Sequence, residues 1–154
     1  MTSKGELLAA YVQEHIPPYL TPMDTIDQLR QQGAFISVSH PFDRVRKGSW
    51  DPDDLLEITP YVDAIEIFNA RCYLTLANQQ AQEFAHQHGL AGTAGADAHT
   101  LLELNRAVMR IPEFENAISL RQALTQGEFE ARLSSPLIHF TSRWAVWYKT
   151  WRKR

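Results

Sequence analysis

The sequence predicts an α/β fold with a largely parallel sheet. Two observations support this prediction. Segments with helical periodicity alternate with short β-branched or small-residue segments along most of the 154 residues. Three of the predicted strands end in polar residues, at His40, at Asn69 and near Asp97 and His99. Because the carboxyl ends of parallel strands meet at one edge of a sheet, where sites form, we expect these residues to lie together.

The first elements are defined by their end signals. Residues 5–12 are apolar, but periodicity alone does not decide between a strand and a helix for so short a segment. Thr21 is a plausible N-cap, with Pro22 at the first helical position and Asp24 in the place of a capping-box acid. We therefore expect a helix to begin there and to end at Gly33.

A strand is predicted at residues 34–40, with His40 as its last residue. Pro41 should hold His40 in an extended conformation and so aim its imidazole away from the strand end. Residues 41–54 form a polar loop, and a short helix is expected around residues 53–58.

The next strand is predicted at residues 64–70. Strict alternation would place Asn69 on the same side as Ile65 and Ile67, and Glu66 on the opposite side.

A helix over residues 73–88 should end at Gly89. A strand of small residues follows and ends near Asp97 and His99. Residues 116–126 are predicted to form the last helix of this alternating pattern.

The composition is that of an ordinary globular protein, with 44% hydrophobic and 21% charged residues. The net charge of −3 argues against a general nucleic-acid binder, which is normally basic. A single cysteine, Cys72, excludes an intrachain disulfide. We find neither the order of a signal peptide nor a run of ~18–20 apolar residues, and we expect a cytoplasmic protein.

Metal chemistry is indicated first by Asp97 and His99, two residues apart after a strand. Carboxylate and imidazole groups are ligands for divalent ions such as Zn, Mn or Fe. The preceding GTAGA run carries almost no side chains, so a metal or phosphate could approach closely. The alternative is a capping Asp beside a surface His. For His40, the alternative is a core histidine satisfied by a backbone carbonyl.

Phosphate chemistry is indicated by Arg44, Arg46 and Lys47, because guanidinium groups bind phosphate oxygens bidentately. The alternative for these three residues is an ordinary solvated loop. Asn69 could position a ligand or a water, or it could simply be a turn residue.

The C-terminal segment has a distinct composition, and we divide the chain into residues 1–130 and a tail of residues 131–154. Four aromatic residues of this tail share one side of a predicted helix, with basic residues around them: Trp144, Trp147, Tyr148 and Trp151. Such a helix could dock on the rest of the chain, lie on a membrane surface or stack on nucleic acid.

Together, the runs GAFISVSHPFDRVR, VDAIEIFNAR and AGTAGADAHTLLELNRA resemble the second half of the PHP domain. This phosphoesterase family is named for polymerase and histidinol phosphatase. The resemblance covers roughly residues 1–110. It implies the C-terminal half, with parallel strands, of a distorted TIM-like (β/α)7 barrel.

The resemblance also implies a site for divalent metal ions. Three positions match the family's metal ligands: His40, Asp97 and His99. Three others match positions suited to substrate: Arg44, Asn69 and Arg71. The family's His-x-His and a later Glu would precede Met1, and Glu6 is not that Glu. We therefore expect an incomplete ligand set and an open barrel edge that a second chain or a dimer would cover.

The resemblance implies metal-dependent hydrolysis of phosphate esters, on a phosphorylated small molecule, a nucleotide or a nucleic-acid end. The alternative is a degenerate, non-catalytic PHP module that acts in binding or assembly. Single-metal stoichiometry or none, and oligomerisation without turnover, would favour that alternative.

Overall fold

The computed structural model describes residues 1–135, so the predicted tail lies outside the described residues from residue 136 onward. Besides the helices and strands given next, this structure has two short 3₁₀ helices, Thr59–Tyr61 and Leu101–Glu103. The helices and strands are, in chain order, β1 (Leu7–Ala10), α1 (Pro22–Gln31), β2 (Phe35–Val38), α2 (Pro52–Ile58), β3 (Ala64–Asn69), α3 (Thr75–His88), β4 (Ala91–Gly95), β5 (Ala107–Arg110), α4 (Ala117–Leu124) and β6 (Glu128–Ala131).

Four strands form the central sheet in the order β1-β2-β3-β4. Strands β2, β3 and β4 are parallel, whereas β1 pairs antiparallel with β2. The prediction of a mixed α/β fold with a mostly parallel sheet is confirmed. Within residues 1–135 this sheet is open and does not close into a barrel.

Strands β5 and β6 form a separate antiparallel pair. The sequence pattern predicts neither of these four-residue strands. Phe129 of β6 contacts Phe68 of β3, with ring centroids 6.1 Å apart, which attaches this pair to the central sheet. The boundary predicted between residues 130 and 131 falls inside β6.

The core lies around β2, whose four residues are all buried. Ile36 and Val38 of β2 pack with Ile65 of β3, and Ile26 and Leu29 of α1 join the same cluster. Fully burying one such side chain contributes about 1.5–3 kcal/mol of stability, so this cluster stabilises the packing of α1 on β2 and β3.

The predicted start of α1 is confirmed. The Thr21 side chain accepts a hydrogen bond from the Asp24 amide at 3.1 Å, and Pro22 occupies the first helical position. Gly33 leaves the helix with φ +70°, and Gly89 ends α3 with φ +64°. Glycine adopts this left-handed conformation without the steric cost of a Cβ, which explains why both predicted helix stops are correct.

Asp63, immediately before β3, connects several elements at the other edge of the sheet. Its carboxylate accepts hydrogen bonds from the Arg30 guanidinium of α1 at 2.9 Å and from Arg121 of α4 at 2.7 Å. It also accepts the Ile36 amide of β2 at 2.7 Å. Burial alone would raise the pKa of Asp63, but these hydrogen bonds outweigh it and lower the pKa.

A β-bulge interrupts the pairing of β3 with β4 between Glu66 and Phe68. Ile67 is therefore the extra residue of β3. The alternation predicted for this strand is broken at that point, and the side chains that follow change sides.

No helix within residues 1–135 is long and apolar enough to cross a membrane.

Candidate functional site

A cavity of about 430 Å³ opens at the carboxyl edge of the parallel strands. The residues predicted to follow β2, end β3 and follow β4 all reach it, as the strand order requires. Strand β1 runs in the opposite direction, so its amino end comes to the same edge and brings Glu6 with it. The cavity is lined by six titratable side chains, namely Glu6, His40, Arg46, Glu66, Asp97 and His99.

His40 is buried in the wall of this cavity. Its Nε2 lies 3.4 Å from Glu6 Oε2, and its Nδ1 is buried without a hydrogen-bond partner within the described residues. The prediction that His40 ends the strand in an extended conformation is wrong. Strand β2 ends at Val38, and His40 has φ +26°. In this conformation the His40 amide donates a hydrogen bond to the Glu66 carboxylate at 2.8 Å.

Glu66 is the central acceptor of the site, and the sequence prediction omits it from the site residues. Its carboxylate accepts hydrogen bonds from the His40 amide and from Asn69 Nδ2, the latter at 3.2 Å. Ser39 Oγ donates from 3.4 Å. Burial raises the pKa of Glu66, and the hydrogen bonds from His40 and Asn69 oppose that rise only in part.

The bulge explains why Asn69 reaches Glu66. Strict alternation predicts opposite sides of β3 for these two residues, and this prediction is wrong because Ile67 is inserted between them in the ladder. The signal available in the sequence is Glu66 itself, an acidic residue within an apolar strand. A buried carboxylate needs partners, which makes such a residue a candidate for a site.

Asp97 and His99 follow β4 as predicted and lie side by side. Asp97 has φ +48°, and its Oδ2 lies 3.4 Å from Asn69 Nδ2. His99 Nδ1 lies 2.8 Å from the Asp97 carbonyl oxygen. When Nδ1 donates its proton there, Nε2 is left unprotonated and able to ligate a metal.

Arg46 is the basic residue that the loop after β2 places in the cavity. Its guanidinium forms an ion pair with Asp97, and its Nε lies 3.7 Å from Asp43 Oδ2. Arg44 is exposed and is not among the described residues that line the cavity. A loop of this kind has no periodicity, so the sequence does not indicate which of its basic residues faces inward.

Arg71 does not line the cavity and acts on the site through Glu103. Its guanidinium forms an ion pair with Glu103 at 2.8 Å, and Glu103 is 0% exposed. The other oxygen of Glu103 accepts the His99 amide at 3.1 Å and the Thr100 hydroxyl at 2.9 Å. Arg71 therefore supports, through Glu103, the loop that carries His99.

The comparisons with known proteins agree with the resemblance. Residues 75–129 match the family model described as PHP-associated. The chain carries a PHP-associated region. Two proteins of Methanocaldococcus jannaschii are similar in sequence. Uncharacterized protein MJ0417 is 35% identical over 115 residues, which is 73% of this chain and 48% of that protein. Uncharacterized protein MJ1587 is 33% identical over 70 residues, 46% of this chain and 39% of that protein.

Two solved structures share the fold of this chain. PsfC from Pseudomonas syringae PB-5123 superposes with a TM-score of 0.63 at 20% identity, over 99% of this chain and 62% of PsfC. A Bifidobacterium adolescentis protein, provisionally assigned as a metal-dependent phosphoesterase, gives a TM-score of 0.50 at 21% identity over 74% and 40% of the two chains. The chain spans about half the length, or less, of the two M. jannaschii proteins that it matches.

The cavity fits a divalent cation in the chemistry of its side chains. Imidazole nitrogens and carboxylate oxygens line it, one buried nitrogen of His40 lacks a partner, and the Arg46 guanidinium already places a positive charge at Asp97. The donors are not gathered around one point, since no three His, Cys, Asp or Glu side chains within residues 1–135 are close enough to hold a metal ion.

Proposed function

We propose that this chain supplies part of the site of a metal-dependent phosphoesterase, which hydrolyses phosphate esters. The observation that carries the proposal is the cavity at the carboxyl edge of the sheet, which is lined by His40, Asp97 and His99 together with further carboxylates. This combination of imidazole and carboxylate groups suits Zn, Mn or Fe. The PHP-associated region and the fold shared with the B. adolescentis protein support it.

Each of these residues has a defined task in the proposal. His40, Asp97 and His99 would hold a divalent ion, and Glu66 fixes the backbone of His40 by accepting the hydrogen bond from its amide. An ion held there would supply the usual metal chemistry, since it would lower the pKa of a bound water and offset charge on the phosphate. Asn69 holds the Asp97 carboxylate from the side and joins it to Glu66.

Arg46 is the residue that we assign to the substrate phosphate. It lies in the cavity, and a guanidinium binds two phosphate oxygens at once. The prediction for Arg44 stays a prediction, since its side chain is exposed on the same loop. Arg71 acts as a positioning residue through Glu103 rather than as a ligand of substrate.

The substrate in this proposal is a phosphorylated small molecule, a nucleotide or a nucleic-acid end. Further ligands would come from outside the described residues, as part of a larger TIM-like barrel or from a second chain at the open edge of the sheet. The lengths of the relatives support this, because the chain covers 48% and 39% of the two M. jannaschii proteins.

The test is the Mn²⁺-dependent hydrolysis of p-nitrophenyl phosphate by the 154-residue chain, together with calorimetric titration of Mn²⁺. Asp97→Asn keeps the size of the side chain and removes a ligand charge. We expect it to lower both Mn²⁺ affinity and the Mn²⁺-dependent rate at least about 100-fold, beyond the usual effect of losing an outer-shell partner. Asp27→Asn, on the exposed face of α1, is the matched control and should change neither.

A non-catalytic module for binding or assembly is the second candidate. It is favoured by the absence of three converging ligand side chains within residues 1–135. One bound Mn²⁺ without turnover would support this candidate against the enzyme. Failure of the wild-type chain to bind Mn²⁺ at all would reject the metal site itself.

A further inference from the structure

Arg46 has two acidic partners that differ in kind. Asp43 lies three residues earlier on the same loop and is buried. Asp97 lies across the cavity, after β4, and is a proposed metal ligand. One guanidinium therefore joins a residue of its own loop to a residue of the candidate metal site.

The pair with Asp97 competes with any cation that Asp97 would bind. A carboxylate that neutralises a guanidinium must give up that partner, wholly or in part, when a metal ion takes its oxygens. Guanidinium groups stay protonated at all ordinary pH values, so Arg46 cannot yield by losing a proton. It can yield only by moving.

Asp43 limits where Arg46 can move. Its carboxylate oxygen lies 3.7 Å from Arg46 Nε, the nitrogen nearest the aliphatic part of the side chain, whereas Asp97 contacts the terminal Nη1. Losing the Asp97 contact therefore frees the end of the guanidinium while Asp43 still holds it near the cavity. A phosphate oxygen entering the cavity is then its natural partner.

We propose that Arg46 is an exchangeable counter-ion, which neutralises Asp97 in the metal-free chain and transfers to the substrate phosphate when a divalent metal ion binds. This inference rests on the proposed function, because it requires a metal ion at Asp97. If Arg46 has this role, removing its side chain should strengthen the binding of the metal ion and weaken the binding of phosphate.

The test is calorimetric titration of the full 154-residue chain with Mn²⁺, and then with inorganic phosphate in saturating Mn²⁺. We expect Arg46→Gln to bind Mn²⁺ about tenfold more tightly, the size of effect that a ligand's direct partner commonly has. The same variant should bind phosphate about tenfold more weakly. A residue with a purely structural role would weaken both or change neither.

Two further variants isolate the cause. Arg46→Lys keeps a positive charge beside Asp97, and its Mn²⁺ affinity should stay near that of the wild type. Arg44→Gln removes the same charge from the exposed part of the same loop and should leave the Mn²⁺ affinity unchanged. Circular dichroism of each variant confirms that it is folded.

The other outcomes overturn the proposal. Mn²⁺ affinity that is unchanged or weaker in folded Arg46→Gln rejects competition at Asp97. Equal tightening in Arg44→Gln assigns the effect to the overall charge of the loop. Unchanged phosphate affinity in Arg46→Gln rejects the transfer to phosphate. If no variant and no wild-type chain binds Mn²⁺, the proposed function fails first, and this inference fails with it.

Discussion

Gly95 shows how a single missing side chain shapes the site. A Cβ at this position of β4 would overlap Glu66 Oε1. At Gly92, on the same strand, a Cβ would instead meet the side chain of Ile67. The run of small residues suggests room for a metal or phosphate, but at these two positions the space is taken by side chains of β3.

Gly95→Ala is therefore expected to damage both stability and the site. Glu66 is held by hydrogen bonds from His40 and Asn69, so its carboxylate cannot withdraw without breaking them. We expect a loss of about 1–3 kcal/mol, typical of an overpacked position, and weaker Mn²⁺ binding. Urea unfolding and Mn²⁺ titration measure the two effects.

Gly92→Ala is the matched control for this prediction. It adds the same methyl group to the same strand, but against an aliphatic side chain. It should lower stability and leave Mn²⁺ affinity unchanged. Equal Mn²⁺ affinity in both variants would mean that the position of Glu66 does not matter for the cation.

The sequence identifies some site residues and misses others for reasons visible at this scale. His40, Asn69 and Asp97 are found because polar residues after strands mark the carboxyl edge of a parallel sheet. The sequence assigns Glu66 and Asn69 to opposite sides of β3 because it does not reveal the bulge at Ile67, which reverses the alternation. The positive φ of His40 and Asp97 depends on contacts made between strands, which no local pattern records.

At the scale of elements, the Asp63 carboxylate accepts hydrogen bonds from several residues at the amino edge of the sheet, as the Glu66 carboxylate does at the carboxyl edge. Its one carboxylate binds α1, α4 and β2 through Arg30, Arg121 and the Ile36 amide. These elements are far apart in the chain, so the contact forms only in the folded state. The free energy of unfolding should depend strongly on this charge.

Asp63→Asn is expected to lower the free energy of unfolding by about 1.5–3 kcal/mol, because the two guanidinium groups lose their charged hydrogen-bond acceptor. Urea denaturation near neutral pH measures this loss. Asp27→Asn, on an exposed position of α1, removes the same charge and should cost little. A similar cost in both variants would remove Asp63 from its role as a structural anchor.

The pH dependence of that cost follows from the lowered pKa of Asp63 in the folded chain. Its stabilising charge is fully present above its ordinary value of 3.8 and is lost as the pH falls through the lower folded value. The difference in stability between wild type and Asp63→Asn should therefore be constant at pH values well above 3.8 and shrink as the pH falls below it. A difference that stays constant to the lowest pH would contradict this.

Elements with local end signals are predictable here, whereas elements formed by distant pairing are not. Helix α1 starts at the Thr21 cap and α3 stops at Gly89, as their residues predict. Strand β1 is ambiguous in sequence because four apolar or small residues suit either structure, and pairing with β2 makes it a strand. Strands β5 and β6 likewise form only because they pair with each other.

At the scale of the whole molecule, the edge of the central sheet formed by β1 is an exposed strand edge. Within residues 1–135, β1 pairs only with β2, so its other side presents free backbone groups. Leu8, in the middle of β1, is 51% exposed and also lines the wall of the candidate site. Exposed strand edges of this kind bind further strands, from the same chain or from another.

We therefore expect the 154-residue chain to self-associate through β1 as its concentration rises. Leu8→Lys places a charge on this edge strand, a change that natural proteins use against edge pairing, and should shift the chain towards the monomer. Sedimentation velocity over a range of concentrations measures the shift. Leu56→Lys, at a position of α2 that is 52% exposed, is the matched control and should not change the association. If both variants associate as the wild type does, the contact lies elsewhere. If only Leu8→Lys is monomeric, β1 is the edge at which the chain takes up another strand, beside the cavity that contains His40 and Asp97.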